Sequence, residues 1–192
     1  MNAIATDFRP LYARALDQLA KLIATVTPEQ LELSTPCEEF DVRALLSHTM
    51  GGIHRASYVG EGGYFLDVVA QVGAVADDAW PAVLDRARSR MAAAWADDAK
   101  LERSTTVPWG EVPGGVALGG YFMELVTHTW DLAQAIDPTT ALDDELAQVA
   151  LAYAEHALPA ERRGPQVPFG PTLPTAPDAT PYTRLAAWLG RS

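Results

Sequence analysis

Apolar residues recur at intervals of three and four positions along most of the chain, a spacing typical of one face of an α-helix. In the first segment, Leu11, Ala15, Leu19 and Leu22 follow this spacing. The pattern predicts helices over residues 6–25, 42–56, 77–98, 118–136 and 142–158. Most of the chain is therefore expected to be α-helical.

Capping and breaking residues mark the ends of these helices. Asp41 is suited to cap the second helix, and Asp137 should end the fourth because a residue that precedes proline avoids the α conformation. Residues 57–75 contain a Gly-Gly pair and predict a loop with one helical turn. The segment STTVPWGEVPGGVALGG predicts a connector with a short extended piece.

The last part of the chain is rich in proline, which is incompatible with a regular helix or a central strand. After Leu158, prolines stand at positions 159, 165, 168, 171, 174, 177 and 181. We expect this irregular tail to pack against the helices and to end in a short amphipathic turn, YTRLAAWLG. The predicted fold is all-α, a four-helix bundle with an irregular proline-rich C-terminal tail, in a single domain over residues 1–192.

Composition narrows the class of protein. The chain has 192 residues, 48% of them hydrophobic and 20% charged, and a formal net charge of −11. Negative charge disfavours nucleic acid and anionic membrane as partners, and no apolar run reaches the roughly 18–20 residues that span a bilayer. No signal peptide is evident, and Cys37 is the only cysteine. We therefore expect a cytoplasmic protein without an intrachain disulfide.

Candidate chemistry lies in the fourth predicted helix, where Glu124 and His128 stand four residues apart. Such residues share one helix face, so both side chains could bind a single cation. His48 in ALLSHTMGG is the best third candidate because apolar residues and glycine flank it on its own face. Two imidazoles and one carboxylate would leave open positions on a metal, as in catalytic zinc sites.

Spacing alone does not establish this site. Glutamate and histidine at this interval also form weak pairs on solvated helices, and a core histidine is often only hydrogen-bonded. Asp131 could accept a hydrogen bond from a ligand histidine or form a cap or salt bridge. Arg184 could hold an anionic substrate group or pair with surface acids. Cys37 is interpreted as structural, and the two remaining histidines, His54 and His156, as non-ligands.

Three segments resemble the DinB/YfiT-like metalloenzyme superfamily, in particular its actinobacterial branch of mycothiol-dependent maleylpyruvate isomerases and mycothiol transferases. They are TPCEEFDVRALLSHTMGG, GYFMELVTHTWDLAQAI and FGPTLPTAPDATPYTRLAAWLGR, in the same order and at similar separations. The resemblance implies a DinB-like four-helix bundle that holds one divalent metal on His48, Glu124 and His128. Phe40 stands where these relatives usually carry tryptophan, and the chain is too short for the isomerases' C-terminal domain.

The leading functional hypothesis is a metal-dependent enzyme that transfers or adds a small thiol to an electrophile. A metal would favour the thiolate form; mycothiol as the thiol is implied by the resemblance alone. Zinc is the first choice of metal, with nickel, iron or manganese as alternatives. The same site could activate water in a hydrolase, or the bundle could bind a metal or ligand without catalysis. Expected partners are a small-molecule substrate and a small thiol, with a homodimer left open.

Overall fold

The computed structural model describes residues 6–164 and 169–191, and these residues are mainly α-helical. The helices are α1 (Phe8–Ile23), α2 (Val42–Glu61), α3 (Trp80–Ala94), α4 (Ala99–Glu102), α5 (Gly114–Ile136), α6 (Asp144–Ala157) and α7 (Pro181–Trp188). Strands β1 (Ser104–Val107) and β2 (Gly110–Pro113) form a small antiparallel sheet. Short 3-10 turns cover Pro28–Glu32, Phe65–Asp67 and Ala160–Arg162.

Side-chain caps start several of these helices. The carboxylate of Asp41 accepts a hydrogen bond of 2.7 Å from the backbone N–H of Ala44 at the start of α2, as the sequence predicted. Asp143 caps α6 in the same way by accepting from Glu145. Such caps satisfy N–H groups that have no partner within the helix.

The core lies where α5 contacts α1, α2 and α6, while α3 covers α1 and α2. Helix α5 is the most buried helix: residues on all its sides, including Leu118, Phe122 and Leu132, are nearly inaccessible to solvent. Each such side chain contributes about 1.5–3 kcal/mol when it leaves water. A helix that is apolar all round must lie inside the molecule, so any polar side chain on α5 needs a partner there.

Helix α2 is longer than its predicted end at residue 56, and the prediction of a loop from residue 57 was wrong over its first part. The helix continues to Glu61 and ends at Gly62, whose φ of 102° closes it in the left-handed conformation that glycine adopts readily. Trp95 stabilises this extra turn because its indole donates a hydrogen bond of 3.0 Å to the carbonyl of Ala56. Residues 62–79 contain only the predicted short turn.

The connector before α5 forms a complete hairpin, with Thr105 paired to Val112. Helix α5 therefore begins directly after β2 at Gly114, four residues earlier than predicted. Trp109 at the tip of the hairpin contacts Tyr121, with ring centroids 5.3 Å apart. The hairpin thus covers the N-terminal half of α5. No helix within the described ranges is long and apolar enough to cross a membrane.

The proline-rich segment is irregular where it is described, apart from the turn at Ala160–Arg162, and most of its residues are exposed. Pro165 and Pro168 lie outside the described residues. The chain then forms α7, a full helix rather than a turn, which packs against α6. After α7, Gly190 adopts a φ of 80°. This left-handed residue turns the chain back toward α5.

Candidate metal centre

His48, Glu124 and His128 lie close together on the facing sides of α2 and α5. His48 Nε2 is 3.3 Å from Glu124 Oε1, and the two imidazole rings meet nearly at right angles with centroids 5.0 Å apart. One ligand atom of each residue lies within 4.8 Å of the other two. The three side chains therefore converge on one point between the helices.

The residues present fit a divalent metal. Ligand atoms at 2.0–2.1 Å from a tetrahedral zinc ion are about 3.3–3.4 Å apart, close to the 3.3 Å between His48 and Glu124. The His48 and Glu124 side chains retain 21% and 30% exposure, so the cluster can be reached from solvent. The role of the three residues as ligands stays a prediction that the geometry allows.

The orientation of His128 is set by Asp131, one turn further along α5. His128 Nδ1 is 3.0 Å from Asp131 Oδ2, and Asp131 is completely buried. A hydrogen bond donated from Nδ1 to the carboxylate leaves Nε2 available for a metal, the arrangement found behind many metal-binding histidines. Of the roles that the sequence left open for Asp131, the structure shows two: it accepts from His128, and it forms a salt bridge, with Arg191.

Arg191 is a residue of the site that the sequence analysis missed. Its Nε lies 3.0 Å from both carboxylate oxygens of Asp131, so Arg191, Asp131 and His128 form a chain of contacts behind the cluster. Gly190 and Phe169 position the arginine: the first turns the backbone inward, and the second lies with its ring centroid 5.9 Å from the guanidinium carbon. The closing motif WLGR contains Arg191, but its spacing alone does not indicate the contact.

Arg184, the arginine considered from the sequence, lies elsewhere. It is exposed, and its Nη2 donates a hydrogen bond of 2.6 Å to the carbonyl of Pro177. The hypothesis that it holds a substrate group at this site is therefore not supported by its position. His54 and His156 are likewise absent from the clusters of metal-ligand type found among the described residues.

Cys37 could form a second cluster with His128 and Asp131, because their ligand atoms also lie within 4.8 Å of one another. The guanidinium of Arg191 reaches the same place, with Nη2 3.8 Å from Cys37 Sγ. Burial raises the pKa of the Cys37 thiol, and this outweighs the opposing effect of Arg191. A protonated thiol beside a fixed cation is poorly suited to bind a metal, which agrees with a structural role for Cys37.

A small pocket opens on the other side of the cluster. Besides the three candidate ligands it is lined by Tyr12, Thr49, Gly52, Ile53, Tyr121 and Leu125. Phe40 contacts the His48 ring at a centroid distance of 5.0 Å, so this departure from the family's usual tryptophan keeps an aromatic ring beside the ligand. The pocket is narrow and combines apolar walls with a few polar groups beside the cluster.

The electrostatics of Glu124 suit a metal ligand. Burial by itself would raise the pKa of Glu124, but the hydrogen bond to His48 and the nearby charges of His128, His48 and Arg55 lower it overall. The carboxylate is therefore ionised at neutral pH, the form in which it binds a cation.

Helices α2 and α5 with these side chains define the chain as a mainly α-helical protein with a cluster of metal-ligand type. The family described as the mycothiol maleylpyruvate isomerase N-terminal domain matches residues 12–133, and the chain belongs to this family. The match confirms the DinB-like, mycothiol-related resemblance and includes His48, Glu124, His128 and Asp131, whereas Arg191 lies beyond it.

Two relatives extend the similarity over nearly the whole chain. Uncharacterized proteins of Mycobacterium tuberculosis, from strains CDC 1551 / Oshkosh and H37Rv, are each 35% identical over 189 residues. Each alignment covers 95% of this chain and 98% of the relative. No solved structure matches the chain.

Proposed function

We propose that this protein is a metal-dependent enzyme that joins the sulfur of a small thiol, of the mycothiol class, to an electrophilic small molecule. This proposal rests on the convergence of His48, Glu124 and His128 beside a pocket. When bound there, a divalent cation, with zinc the first to test, would act as a Lewis acid and lower the thiol pKa from about 8.5.

The protein's own side chains prepare this site. Glu124 is held as a carboxylate, and Asp131 holds His128 with Nε2 directed to the cluster. Ile53 and Leu125 give the pocket apolar walls, which exclude water and strengthen the electrostatic interactions of a bound substrate. These residues therefore bind and orient the reactants. We also propose that α1, α2, α3 and α5 form the family's four-helix bundle around the site, since these helices contact one another in a ring.

The ligand set favours a catalytic over a structural metal. Structural zinc sites usually have four protein ligands, commonly including cysteine. Asp131 is the nearest further carboxylate, but both of its oxygens are engaged by His128 and Arg191. Three protein ligands would leave a position for a substrate. Membership in a mycothiol-related family supports a thiol in that position.

The test combines metal spectroscopy with a conjugation assay. Thiols are titrated into cobalt-loaded protein, and a thiolate-to-metal charge-transfer band is expected for the wild type and for the exposed control Glu155→Gln. Glu124→Gln should weaken both the band and metal affinity. The zinc-loaded protein should then consume thiol and an electrophile together, and a chelator should abolish this consumption.

Other outcomes would redirect the proposal. Metal-dependent turnover of esters or amides without thiol would identify a hydrolase that uses water. Metal binding with neither conjugation nor hydrolysis across a broad electrophile panel would indicate a binding protein. Either result would overturn the transferase assignment.

A further inference from the structure

Tyr121 lies on the same face of α5 as Glu124 and His128, three and seven residues before them. It is 3% exposed and lines the pocket together with these two candidate ligands. Its hydroxyl is buried and has no hydrogen-bond partner among the described residues. Most buried polar groups in proteins have such a partner, so this hydroxyl is a donor that a ligand in the pocket could use.

The β-hairpin closes the outer side of Tyr121. Gly120 has no side chain, and a Cβ atom there would lie 2.4 Å from Trp109 Cζ2, so this glycine lets the indole lie directly against α5. The rings of Trp109 and Tyr121 meet edge to face, with their centroids 5.3 Å apart. An acceptor for the buried hydroxyl would therefore come from the pocket side.

The hydroxyl of Tyr121 is protonated at neutral pH and lies near Glu124. Burial is the main cause that raises the pKa of Tyr121, followed by the negative charge of Glu124, and the positive charge of Arg55 opposes them only in part. Burial and then Glu124 also raise the pKa of Tyr12, which lines the same pocket. Both tyrosines are therefore neutral, and Tyr121 can donate a hydrogen bond to an anionic atom.

The pocket has room for very little beside the cluster. Its cavity volume is about 10 Å³, which is about the space that one water molecule needs. One ligand atom, rather than the body of a substrate, therefore fits between Tyr121 and the candidate metal ligands. Under the proposed function this atom is the sulfur of the thiol, and the rest of the thiol must lie outside the pocket.

We propose that Tyr121 donates a hydrogen bond to the sulfur of the bound thiol and thereby favours its thiolate form at the His48–Glu124–His128 cluster. This inference rests on the proposed function and adds to it a residue that is not a metal ligand. A hydrogen bond to a charged acceptor is about twice as strong as one between neutral groups. The contact therefore strengthens when the S–H bond breaks and its proton is released to water, while the electron pair stays on sulfur.

The test uses cobalt-loaded protein and methanethiol, whose sulfur carries only a methyl group. Tyr121→Phe should leave cobalt affinity unchanged because Tyr121 is not among the candidate ligands. It should raise the Kd for methanethiol about 10-fold, as for the loss of a hydrogen bond to a charged group. The thiolate-to-metal charge-transfer band should also move to longer wavelength, since a thiolate without this hydrogen bond gives up an electron more readily.

Tyr153→Phe is the matched control, because the hydroxyl of Tyr153 donates to the carbonyl of Val116 and the residue does not line the pocket. This variant should keep the wild-type Kd and band position, but should lower the midpoint of urea unfolding in metal-free protein. Tyr121→Phe should not lower that midpoint, since its hydroxyl has no acceptor to lose within the described ranges.

Three outcomes would contradict the inference. A wild-type band that keeps its position and its methanethiol Kd in Tyr121→Phe would overturn the role of Tyr121 and leave the proposed function standing. A loss of stability in metal-free Tyr121→Phe as large as in Tyr153→Phe would assign the hydroxyl to the fold instead. Absence of any band in the wild type would overturn the proposed function, and this inference with it.

Discussion

Glu124 and Asp131 are both carboxylates on α5, seven residues apart, and lie one turn before and one turn after His128 on the same helix face. Glu124 lies at the pocket, 3.3 Å from His48, and its side chain is 30% exposed. Asp131 is completely buried, and its oxygens contact His128 and Arg191. The pocket side of the cluster is therefore free to bind a ligand, whereas the rear side is filled by the protein itself.

The two sides of the cluster should therefore contribute differently to metal binding and to the stability of the fold. A buried carboxylate that pairs with an arginine leaves that arginine unpaired when it is removed, at a high cost in stability. Glu124 can be removed with far less cost because its neighbourhood is partly solvated. Variants on the pocket side should therefore lose metal while remaining folded, and variants on the rear side should affect folding and metal binding together.

The largest expected effect is on metal occupancy. His48→Ala combined with His128→Ala removes two of the three candidate ligands, so we expect the purified protein to lose its metal while a surface variant such as Glu155→Gln keeps it. Elemental analysis of protein from metal-supplemented cells measures this directly. Persistent occupancy in the double variant would place the metal site elsewhere.

The next effect is on stability. Asp131→Ala should lower the free energy of unfolding by about 3–5 kcal/mol because Arg191 is left buried without its carboxylate. Glu124→Ala, measured under the same conditions, should lower it by about 1 kcal/mol or less, the value of one hydrogen bond. Urea unfolding in the presence of a chelator compares the two. Similar losses in both variants would remove the distinction between the two sides.

A smaller effect is expected from Arg191, which contacts Asp131 and, through it, the candidate ligand His128. Arg191→Gln should weaken zinc affinity about 10–100-fold, as is usual for residues behind a ligand histidine. Arg184→Gln, on the same C-terminal part of the chain but in contact with Pro177, should leave the affinity unchanged. Competition with a chromogenic chelator measures both. If the two variants behave alike, Arg191 has no role in positioning His128.

The pocket side was easier to predict from the sequence than the rear side. The position of Glu124 relative to His128 follows from helical spacing, and Asp131 follows in the same way, because a helix fixes which of its residues share a face. Arg191 contacts Asp131, from which it is 60 positions distant in the sequence, through a segment whose path no periodicity describes. The contact depends on the conformation of Gly190 and on the packing of α7, which only the folded chain determines.

Predicted and observed lengths of α2 differ for a related reason. A Gly-Gly pair and further glycines suggested an early end, since glycine disfavours helices. Packing outweighed this preference, because the last turn of α2 lies against Trp95. Local preference is a weak guide where tertiary contacts are strong.

The smallest expected effects come from Gly51 and Gly52, which are adjacent residues of α2. Like the two sides of the cluster, one borders open space and the other borders space filled by the protein. A Cβ atom on Gly52 would meet nothing within 4 Å, whereas one on Gly51 would lie 2.4 Å from the backbone oxygen of Ala70. Gly52→Ala should therefore stabilise the protein by about 0.5–1 kcal/mol through its effect on the helix. Gly51→Ala should destabilise it by about 1 kcal/mol or more, since the backbone at Ala70 must move.

The two glycine variants also differ in their effect on the pocket. Gly52 lines it, so the added methyl group should narrow it and weaken thiol binding to the cobalt-loaded protein, although the protein is more stable. Gly51 is absent from the lining, and its variant should disturb the hydrogen bonds between Ser47 and Val72 rather than the pocket. Urea unfolding of the two variants, and thiol titration of their cobalt-loaded forms, test both expectations. If Gly52→Ala is destabilised, or if Gly51→Ala is as stable as the wild type, the proposed difference in space around these two glycines is wrong.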